Sequence, residues 1–404
     1  MTVTQQRHRP LTPTSDDGVD DVPVPLRRVA LPAGSNPLAQ AIRVPGLRLE
    51  SGVWLPQITV TFQTWGTLNA AGDNAVLVEH ALTGDSHVVG DAGPDQPTAG
   101  WWPRLIGPGL PLDTRELFIV ASNVLGGCRG TTGPGSPDPD GTPWGSRFPA
   151  TTIRDQVALE VLLADVLGVD RWRLVLGGSM GGMRALEWVA GHPSRVAGAL
   201  VIASAAHATA DQIAWGQAQE LAITGDPDYL GGDYYHRGPG PRNGLGLARR
   251  IAHTTYRSAA ELNSRFGAAP QGAENPLAGG RFAVESYLDH QAAKLSARFD
   301  AGSYLQLTRA MATHDLTRGR GSLAQVLGAF EGRLLTVAVD SDRLFPADLS
   351  EEIVAAHGSG QVRLMSSIHG HDGFLIETDE IARAVSDAIE AVRPVGPQPL
   401  GDVG

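Results

Sequence analysis

The stretch RWRLVLGGSMGGMRALEWVA, residues 171–190, decides the fold class. It reads as an apolar run, a group of glycines around Ser179, and then a helical pattern. Residues 177–181 match G-x-S-x-G, in which glycines allow a serine to occupy a sharp turn between a strand and a helix. The motif is short and the chain has 50 glycines, so a plain turn is the alternative. The strand before it and the helix after it favour Ser179 as a nucleophile.

Short apolar runs recur along the chain, with helical patterns between them. We expect strands at 58–66, 75–82, 117–125, 173–178, 198–204, 334–341 and 362–368. Several are nearly continuous in Val, Ile and Leu, which is typical of parallel strands covered by helices on both faces. Helical patterns at 151–168 and 183–193 lie between them. This alternation predicts an α/β fold with a right-handed, doubly wound sheet.

The alternation breaks between residues 207 and 325, where four helical segments follow one another without a convincing strand. This segment is either a separate helical domain or a cap over the carboxyl ends of the strands, where open α/β sheets bind ligands. We favour the cap. The predicted organisation is a disordered tail (1–36), a first core part (37–206), a helical lid (207–325), a second core part (326–392) and a flexible tail (393–404).

Composition narrows the classes of partner and site. Of the 404 residues, 42% are hydrophobic and 19% charged, as in ordinary globular proteins. The net charge of -11 argues against nucleic acid and anionic membranes as partners, since both call for basic clusters. No apolar run has the length of a membrane span, and the N-terminal segment does not resemble a secretory signal. The single cysteine, Cys128, excludes an internal disulfide and fits a cytoplasmic protein, and no histidine spacing indicates a metal site.

A serine nucleophile needs a base and an acid that orients the base. In folds with this elbow, the chain order is serine, then acid, then histidine. Asp340 lies within the strand pattern at 334–341, whereas Asp342 lies just past its end, so we expect Asp342 to be the acid. His369 and His371 follow the last expected strand, and the glycines around His371 favour it as the base. Each carboxylate could instead cap a turn or a helix.

The oxyanion formed in acyl transfer needs two backbone N–H donors in this architecture. One is the amide of the residue after the nucleophile, here Met180. The other comes from the loop after an early strand, here residues 80–87, where Leu82 is favoured and Ala81 or Thr83 is the alternative. The same loop has good turn chemistry and could be a plain turn.

Seven blocks of the chain, in order, resemble the homoserine O-acetyltransferases of the α/β-hydrolase type. They are FQTWGTLN (62–69), HALTGDSHV (80–88), NVLGGCRGTTGPGSPDPDGTPWGSRFPATTIRD (123–155), GGSMGGM (177–183), ARRIAHTTYRS (248–258), SDRLFP (341–346) and GHDGFL (370–375). The resemblance implies an α/β-hydrolase fold with an inserted helical lid. It also implies a homodimeric enzyme of methionine biosynthesis that transfers acetyl from acetyl-CoA to L-homoserine and holds no tightly bound cofactor.

The resemblance also carries residue roles. The family's nucleophile, acid and base fall on Ser179, Asp342 and His371. Its substrate arginine falls on Arg249 and its substrate aspartate on Asp372. A guanidinium can bind the homoserine carboxylate through two parallel hydrogen bonds, and a carboxylate can hold the ammonium.

Several alternatives stay open at this point. Arg249 could be a surface charge like its neighbour Arg250. The same triad serves plain esterases, because one fold and one triad host many activities. The donor could be succinyl-CoA or the acceptor serine. A succinyl group would want a cation near its far end, and Arg129 is a basic residue of unknown placement.

Overall fold

The computed structural model describes residues 27–29, 39–93 and 96–392, and the description below concerns these residues. Their strands are β1 (Arg27–Val29), β2 (Gln40–Arg48), β3 (Trp54–Trp65), β4 (Ala75–Glu79), β5 (Phe118–Ser122), β6 (Leu174–Gly178), β7 (Gly198–Ile202), β8 (Arg333–Val339) and β9 (Gln361–Met365). They form one sheet in the order β1-β2-β3-β5-β4-β6-β7-β8-β9. The strands from β5 to β9 in that order are parallel, whereas β1, β2 and β3 are antiparallel. The predicted α/β sheet is confirmed.

Each of the last five strands in the chain, β5 to β9, is followed by at least one helix, as the alternation predicted. The helices are α1 (Ile153–Leu167), α2 (Met180–Gly191), α3 (Ala210–Thr224), α4 (Arg242–Tyr256), α5 (Ala259–Arg265), α6 (Ala283–Ser296), α7 (Ala301–Ala312), α8 (Leu323–Gly328), α9 (Ala347–His357), α10 (Gly373–Ile376) and α11 (Thr378–Ala391). No described helix combines the length and the apolar character that a membrane crossing requires.

The core lies on both faces of the sheet. Along β6, Val175 belongs to one buried apolar cluster, while Leu174 and Leu176 belong to the cluster on the opposite face. Successive side chains of a strand point to opposite faces, so a strand covered on both sides is apolar throughout. This is why β4, β6 and β7 are buried at every position and were readable as continuous apolar runs.

Two antiparallel strands were not expected. β2 pairs with β3 from Gln40↔Phe62 to Arg48↔Trp54. Its sequence, QAIRVPGLR, mixes polar residues, a proline and a glycine, which argues against a strand when read locally. β1 lies within the segment expected to be a disordered tail, and it pairs with β2 at the edge of the sheet, Val29 opposite Ala41. The other residues of the two expected tails that lie at 1–26, 30–36 and 393–404 are outside the described residues.

A helical insertion lies between β7 and β8, where α3 to α7 follow one another. Within it, α4 packs against both α3 and α6. The expected lid boundary at residue 325 falls inside α8, which packs against α2 and α9 of the core. The end of α4 contacts the turn at residues 370–372. The insertion therefore meets the sheet at the carboxyl end of its last strand.

Candidate active site

Ser179 lies on a strained turn between β6 and α2. Its φ is +57° and its ψ is -121°, a conformation that costs a non-glycine residue roughly 1–3 kcal/mol. Its amide donates to Ile202 O at 2.9 Å, and Ser204 Oγ donates to Ser179 O at 2.8 Å. At Gly181 any Cβ would clash with the carbonyl oxygen of Glu79. The surroundings therefore hold the backbone in a conformation that a relaxed serine would leave.

A buried ion pair lies beneath this turn, and the sequence analysis did not identify it. Arg184 of α2 pairs with Glu79 at the end of β4, and its Nη2 lies 3.4 Å from Glu160 Oε1. Glu160 also accepts from Trp188 Nε1 at 2.9 Å. The sequence offered one indication of this pair, because Glu79 is a charged residue at the end of the otherwise apolar strand β4. Removing one partner of such a pair leaves a buried charge without compensation, which is strongly destabilising.

The structure brings His371 and Asp342 together. Their Nδ1 and Oδ2 atoms are 2.7 Å apart, and the two residues are 3% and 5% exposed. Asp342 Oδ1 accepts from the amides of Leu344 and Phe345 at 2.8 and 2.9 Å, which fixes the carboxylate. Asp340 is exposed and instead binds the segment before the histidine loop. Of the two candidate acids, Asp342 is the one in contact with His371.

Aromatic rings enclose the His371 imidazole. Phe345 stacks on it with ring centroids 5.0 Å apart, and Phe374 and Tyr256 lie at 5.3 and 5.9 Å. Phe374 also packs against Gly178, the residue before Ser179, so one ring touches both the histidine and the elbow. Tyr256 and Phe345 were not predicted as site residues, although both lie inside blocks that the resemblance singled out.

The electrostatic setting suits His371 to the role of a base. Burial lowers the pKa of His371, but the negative charge of Asp342 and its hydrogen bond, together with Asp372, raise that pKa above its ordinary value. A base with a raised pKa accepts a proton more readily and is charged over a wider range of acidic pH. The two carboxylates together therefore outweigh the effect of burial on the pKa of the imidazole.

We expect kcat/KM for acyl transfer to rise with pH through an apparent pKa above the ordinary histidine value of about 6.5, because only neutral His371 can take a proton. The measurement is a pH–rate profile with the substrates that the resemblance implies, acetyl-CoA and L-homoserine. Enzyme held at each pH and assayed at neutral pH controls for loss of the fold. A midpoint at or below the ordinary value would contradict the raised pKa.

The two expected oxyanion donors follow two neighbouring parallel strands, β4 and β6. Leu82 follows β4 and Met180 begins α2 directly after β6, and both side chains belong to one buried apolar cluster. The first amides of a helix have no acceptor within it, so the Met180 amide is at the positive end of α2. Arg298 donates to Thr83 O at 2.9 Å and anchors the loop that carries Leu82. The arrangement fits the expected roles, which stay predictions.

Arg249 and Arg250 are adjacent on α4 but have different surroundings. Arg250 forms an ion pair with Asp289 at 2.7 Å. The Arg249 guanidinium lies over the ring of Tyr256, 5.3 Å from its centroid. Its Nε is buried and makes no hydrogen bond to any described residue. Arg249 is therefore a half-buried cation whose buried Nε has no described partner, and it lies close to a ring that contacts His371.

Asp372 already has a cationic partner. Arg257 Nε lies 3.0 Å from Asp372 Oδ2, and the same guanidinium binds Glu261 at 3.0 Å. Burial raises the pKa of Asp372, while the positive charges of Arg257 and Arg249 lower it, and the net shift is upward. This partner was not predicted from the sequence, although Arg257 lies in the same block of resemblance (248–258) as Arg249.

A small cavity adjoins these groups. Its volume is about 60 Å³, and its walls include Leu82, Met183, Tyr256, Trp215 and Phe345. None of the described residues that line it carries a charge. By the same measure a single water needs roughly 10–15 Å³, so the cavity has room for a small acyl group.

Metal ligands and thiols offer no rival chemistry in the described ranges. No group of three or more His, Cys, Asp or Glu side chains there is arranged to hold a metal ion. Burial, together with the charge of Asp300, raises the pKa of the Cys128 thiol to about 12. The thiol therefore stays protonated at neutral pH and is a poor nucleophile.

Comparisons with known proteins show the family and the fold to which the chain is similar. Residues 74–377 match the α/β hydrolase fold family. The chain is 55% identical over 345 residues to a homoserine O-acetyltransferase of Thermobifida fusca. The match covers 85% of this chain and 91% of the relative. The fold is similar to a crystal structure of esterase E22, with a TM-score of 0.79 and 25% identity over 87% of this chain and 99% of that one. It is also similar to a homoserine O-acetyltransferase from Bacillus anthracis, with a TM-score of 0.80 and 24% identity over 87% and 97% of the two chains.

Proposed function

This chain belongs to the homoserine O-acetyltransferases of the α/β-hydrolase fold, and on that basis we propose that it acetylates L-homoserine through an acetyl-Ser179 intermediate, with acetyl-CoA as the donor. The product is O-acetyl-L-homoserine, for methionine biosynthesis. The observation that carries the mechanism is the buried His371–Asp342 pair, 2.7 Å apart, together with Ser179 held at φ +57° on the turn whose Gly178 packs against Phe374, the ring that also contacts His371.

The first half of the reaction forms the acetyl-enzyme. Ser179 Oγ attacks the thioester carbon while His371 takes the hydroxyl proton. The Leu82 and Met180 amides hold the oxyanion, and one such donor is worth about 3–4 kcal/mol in known sites. The C–S bond then breaks, and the CoA thiol leaves with the proton from His371. Asp342 keeps the imidazole oriented and stabilises its charged form.

The second half transfers the acetyl group to the acceptor. The homoserine hydroxyl gives its proton to His371 and attacks the acetyl-serine carbonyl. The new ester forms as the bond to Ser179 Oγ breaks, and Ser179 regains a proton from His371. The net result moves one acetyl group from sulfur to oxygen and leaves the enzyme unchanged.

Arg249 supports an amino-acid acceptor over the substrates of a plain esterase. A buried donor without a partner costs about 1–3 kcal/mol, and the Arg249 Nε is in that state. A homoserine carboxylate would accept from this donor and also balance the charge of the guanidinium, whereas an uncharged ester would supply no counter-charge. Asp372, beside His371, is the group that would hold the ammonium, with Arg257 fixing its position.

The small cavity supports acetyl over succinyl. A succinyl group carries a carboxylate two methylenes beyond its acyl carbon, and burying that charge without a partner is costly. The 60 Å³ cavity offers no counter-ion. Arg129, the cation that kept the succinyl alternative open, does not line it.

The helical insertion has a role in this scheme as a lid that keeps water from the acetyl-enzyme. Transfer competes with hydrolysis, so the site must hold the alcohol in place and exclude water. Residues of α3, α4 and α7 line the small cavity, which supports this role.

We expect the release of CoA from acetyl-CoA by the wild-type chain to depend on L-homoserine. Arg249→Gln should lower kcat/KM for L-homoserine roughly 10- to 100-fold, the worth of a charge-assisted hydrogen bond, while the acetyl-enzyme still forms. Free thiol reports CoA release, and intact-protein mass reports the acetyl-enzyme. Arg250→Gln, one residue away and paired with Asp289, is the matched control and should behave as wild type.

Three outcomes would count against the proposal. CoA release that ignores L-homoserine would identify a thioesterase or esterase. Equal rates with L-serine would remove the acceptor assignment, and equal rates with succinyl-CoA would remove the donor assignment.

A further inference from the structure

A second, larger cavity lies apart from the one beside His371. Its volume is about 370 Å³, and it shares no lining residue with the small cavity. Three arginines from separate parts of the chain line it: Arg129 from the loop after β5, Arg242 at the start of α4, and Arg298 between α6 and α7. The chain as a whole carries a net charge of -11, so this is a local concentration of positive charge.

Arg129 has hydrogen-bonding capacity that the described residues do not use. Its Nε and Nη2 are buried and make no hydrogen bond to any of them. Asp85 Oδ2 lies 3.7 Å from Nε, beyond hydrogen-bond distance. That carboxylate also accepts from the His87 amide at 3.0 Å and from Gln96 at 3.2 Å. A guanidinium in this state has open donors for an anion.

Arg298 lies close to two other positively charged side chains, Arg249 and Arg129. Burial lowers its pKa, and the charges of Arg249 and Arg129 lower it further, while Asp85 opposes the shift. Like charges held this close destabilise one another's charged form. An anion bound between them would relieve the repulsion.

The one carboxylate among the described residues that line the cavity, Asp300, is already engaged. Asp300 accepts from the hydroxyls of Tyr234 and Tyr235 at 2.6 and 3.0 Å. It also caps α7 by accepting from the Ser303 amide at 2.7 Å. Its charge is therefore stabilised by donors of its own.

The cavity is linked to the catalytic centre. Arg298 binds the carbonyl of Thr83, directly after the expected oxyanion donor Leu82. Leu245 and Phe299, which line the cavity, belong to the same apolar cluster as Leu82 and Met180. Residues of one apolar cluster thus form a wall that runs from this cavity to the nucleophile elbow.

We propose that this cavity binds the diphosphate of coenzyme A, an inference that rests on the proposed function. Phosphate oxygens accept paired hydrogen bonds from guanidinium groups, which is the chemistry that arginines without partners offer. The pantetheine arm is uncharged and flexible, and it would pass along the apolar wall toward Ser179. The arginines therefore select the carrier, and the small cavity selects the acyl group.

Binding of CoA and of pantetheine to the whole chain, measured by titration calorimetry, separates the phosphate contacts from the rest. We expect Arg129→Gln and Arg242→Gln each to raise the Kd for CoA roughly 10-fold and to leave that for pantetheine unchanged. CoA binding should also weaken with added salt. Arg242 is exposed, so its replacement leaves the core intact. Arg309→Gln, on α7 and paired with Glu220, is the matched control.

The outcomes separate this proposal from the proposed function. Unchanged CoA binding in both variants, or equal losses for CoA and pantetheine, would overturn it. Loss of succinyl-CoA use by Arg129→Gln with intact CoA binding would also overturn it, because the cavity would then read an acyl carboxylate. A wild-type chain that binds CoA through these arginines but makes no O-acetyl-L-homoserine would refute the proposed function and support this cavity.

Discussion

Ser179→Ala should lower kcat for acetyl transfer by about 10⁴- to 10⁶-fold, the range seen when a nucleophile of this kind is removed. Alanine removes only the hydroxyl and keeps the same Cβ, so the backbone at φ +57° is no more strained than before. No covalent intermediate can then form. The expected result is the loss of both turnover and the acetylated protein species.

Mass spectrometry of the intact protein after brief mixing with acetyl-CoA checks this directly. Wild type should gain the mass of one acetyl group on the peptide that contains Ser179, and Ser179→Ala should gain none. Ser386→Ala, an exposed serine on α11, is the control and should acetylate normally. Turnover that survives in Ser179→Ala would show direct transfer between bound substrates and end the ping-pong mechanism.

Asp342→Asn should lower kcat by about 10³- to 10⁴-fold. Asp342 Oδ2 accepts the Nδ1 proton of His371 at 2.7 Å, which leaves Nε2 as the base. The amide nitrogen of asparagine cannot accept that proton, so the imidazole takes the wrong tautomer. The pKa of His371 also loses the charge that raises it, so the acidic limb of the pH–rate profile should move to lower pH.

Asp340→Asn is the matched control, since this carboxylate lies two residues away, is exposed, and binds Ser366 and Ser367. Its activity should stay within about 10-fold of wild type, as expected when only exposed hydrogen bonds are lost. Thermal unfolding of both variants separates misfolding from loss of catalysis. If the Asp342→Asn enzyme kept its pH profile and the Asp340→Asn enzyme lost activity, Asp340 and not Asp342 would be the acid that orients His371.

The sequence was most informative where a local pattern depends directly on the position of the segment in the folded structure. Strands buried on both faces are apolar at every position, and this signal located the parallel part of the sheet. Asp342 could be separated from Asp340 because a residue past the end of a strand is at the edge where ligands bind. β2 was not predicted because its proline and its irregularly spaced exposed positions obscure the alternation of buried and exposed side chains that is typical of a strand.

Contacts between distant segments could not be read in this way. Arg257 meets Asp372 across more than a hundred residues of chain, and nothing near either residue signals the other. Arg249 and Arg250 differ by one position, which on a helix turns the side chain by about 100°. Which of the two faces the site depends on how α4 packs against α3 and α6, and that is a property of the folded molecule.

The junction between the insertion and the last loop limits how this protein can be recombined with its relatives. Gly370, at φ +64°, packs so closely that a Cβ there would lie 2.7 Å from the Ser258 amide, and Ser258 Oγ donates to Ile368 O. With the Arg257–Asp372 pair, these contacts join two segments that are far apart in the gene. We expect a hybrid that imports only the insertion to lose these contacts and to misplace the turn that carries His371. The two segments are therefore structurally coupled, and we expect a hybrid to work only when it exchanges both.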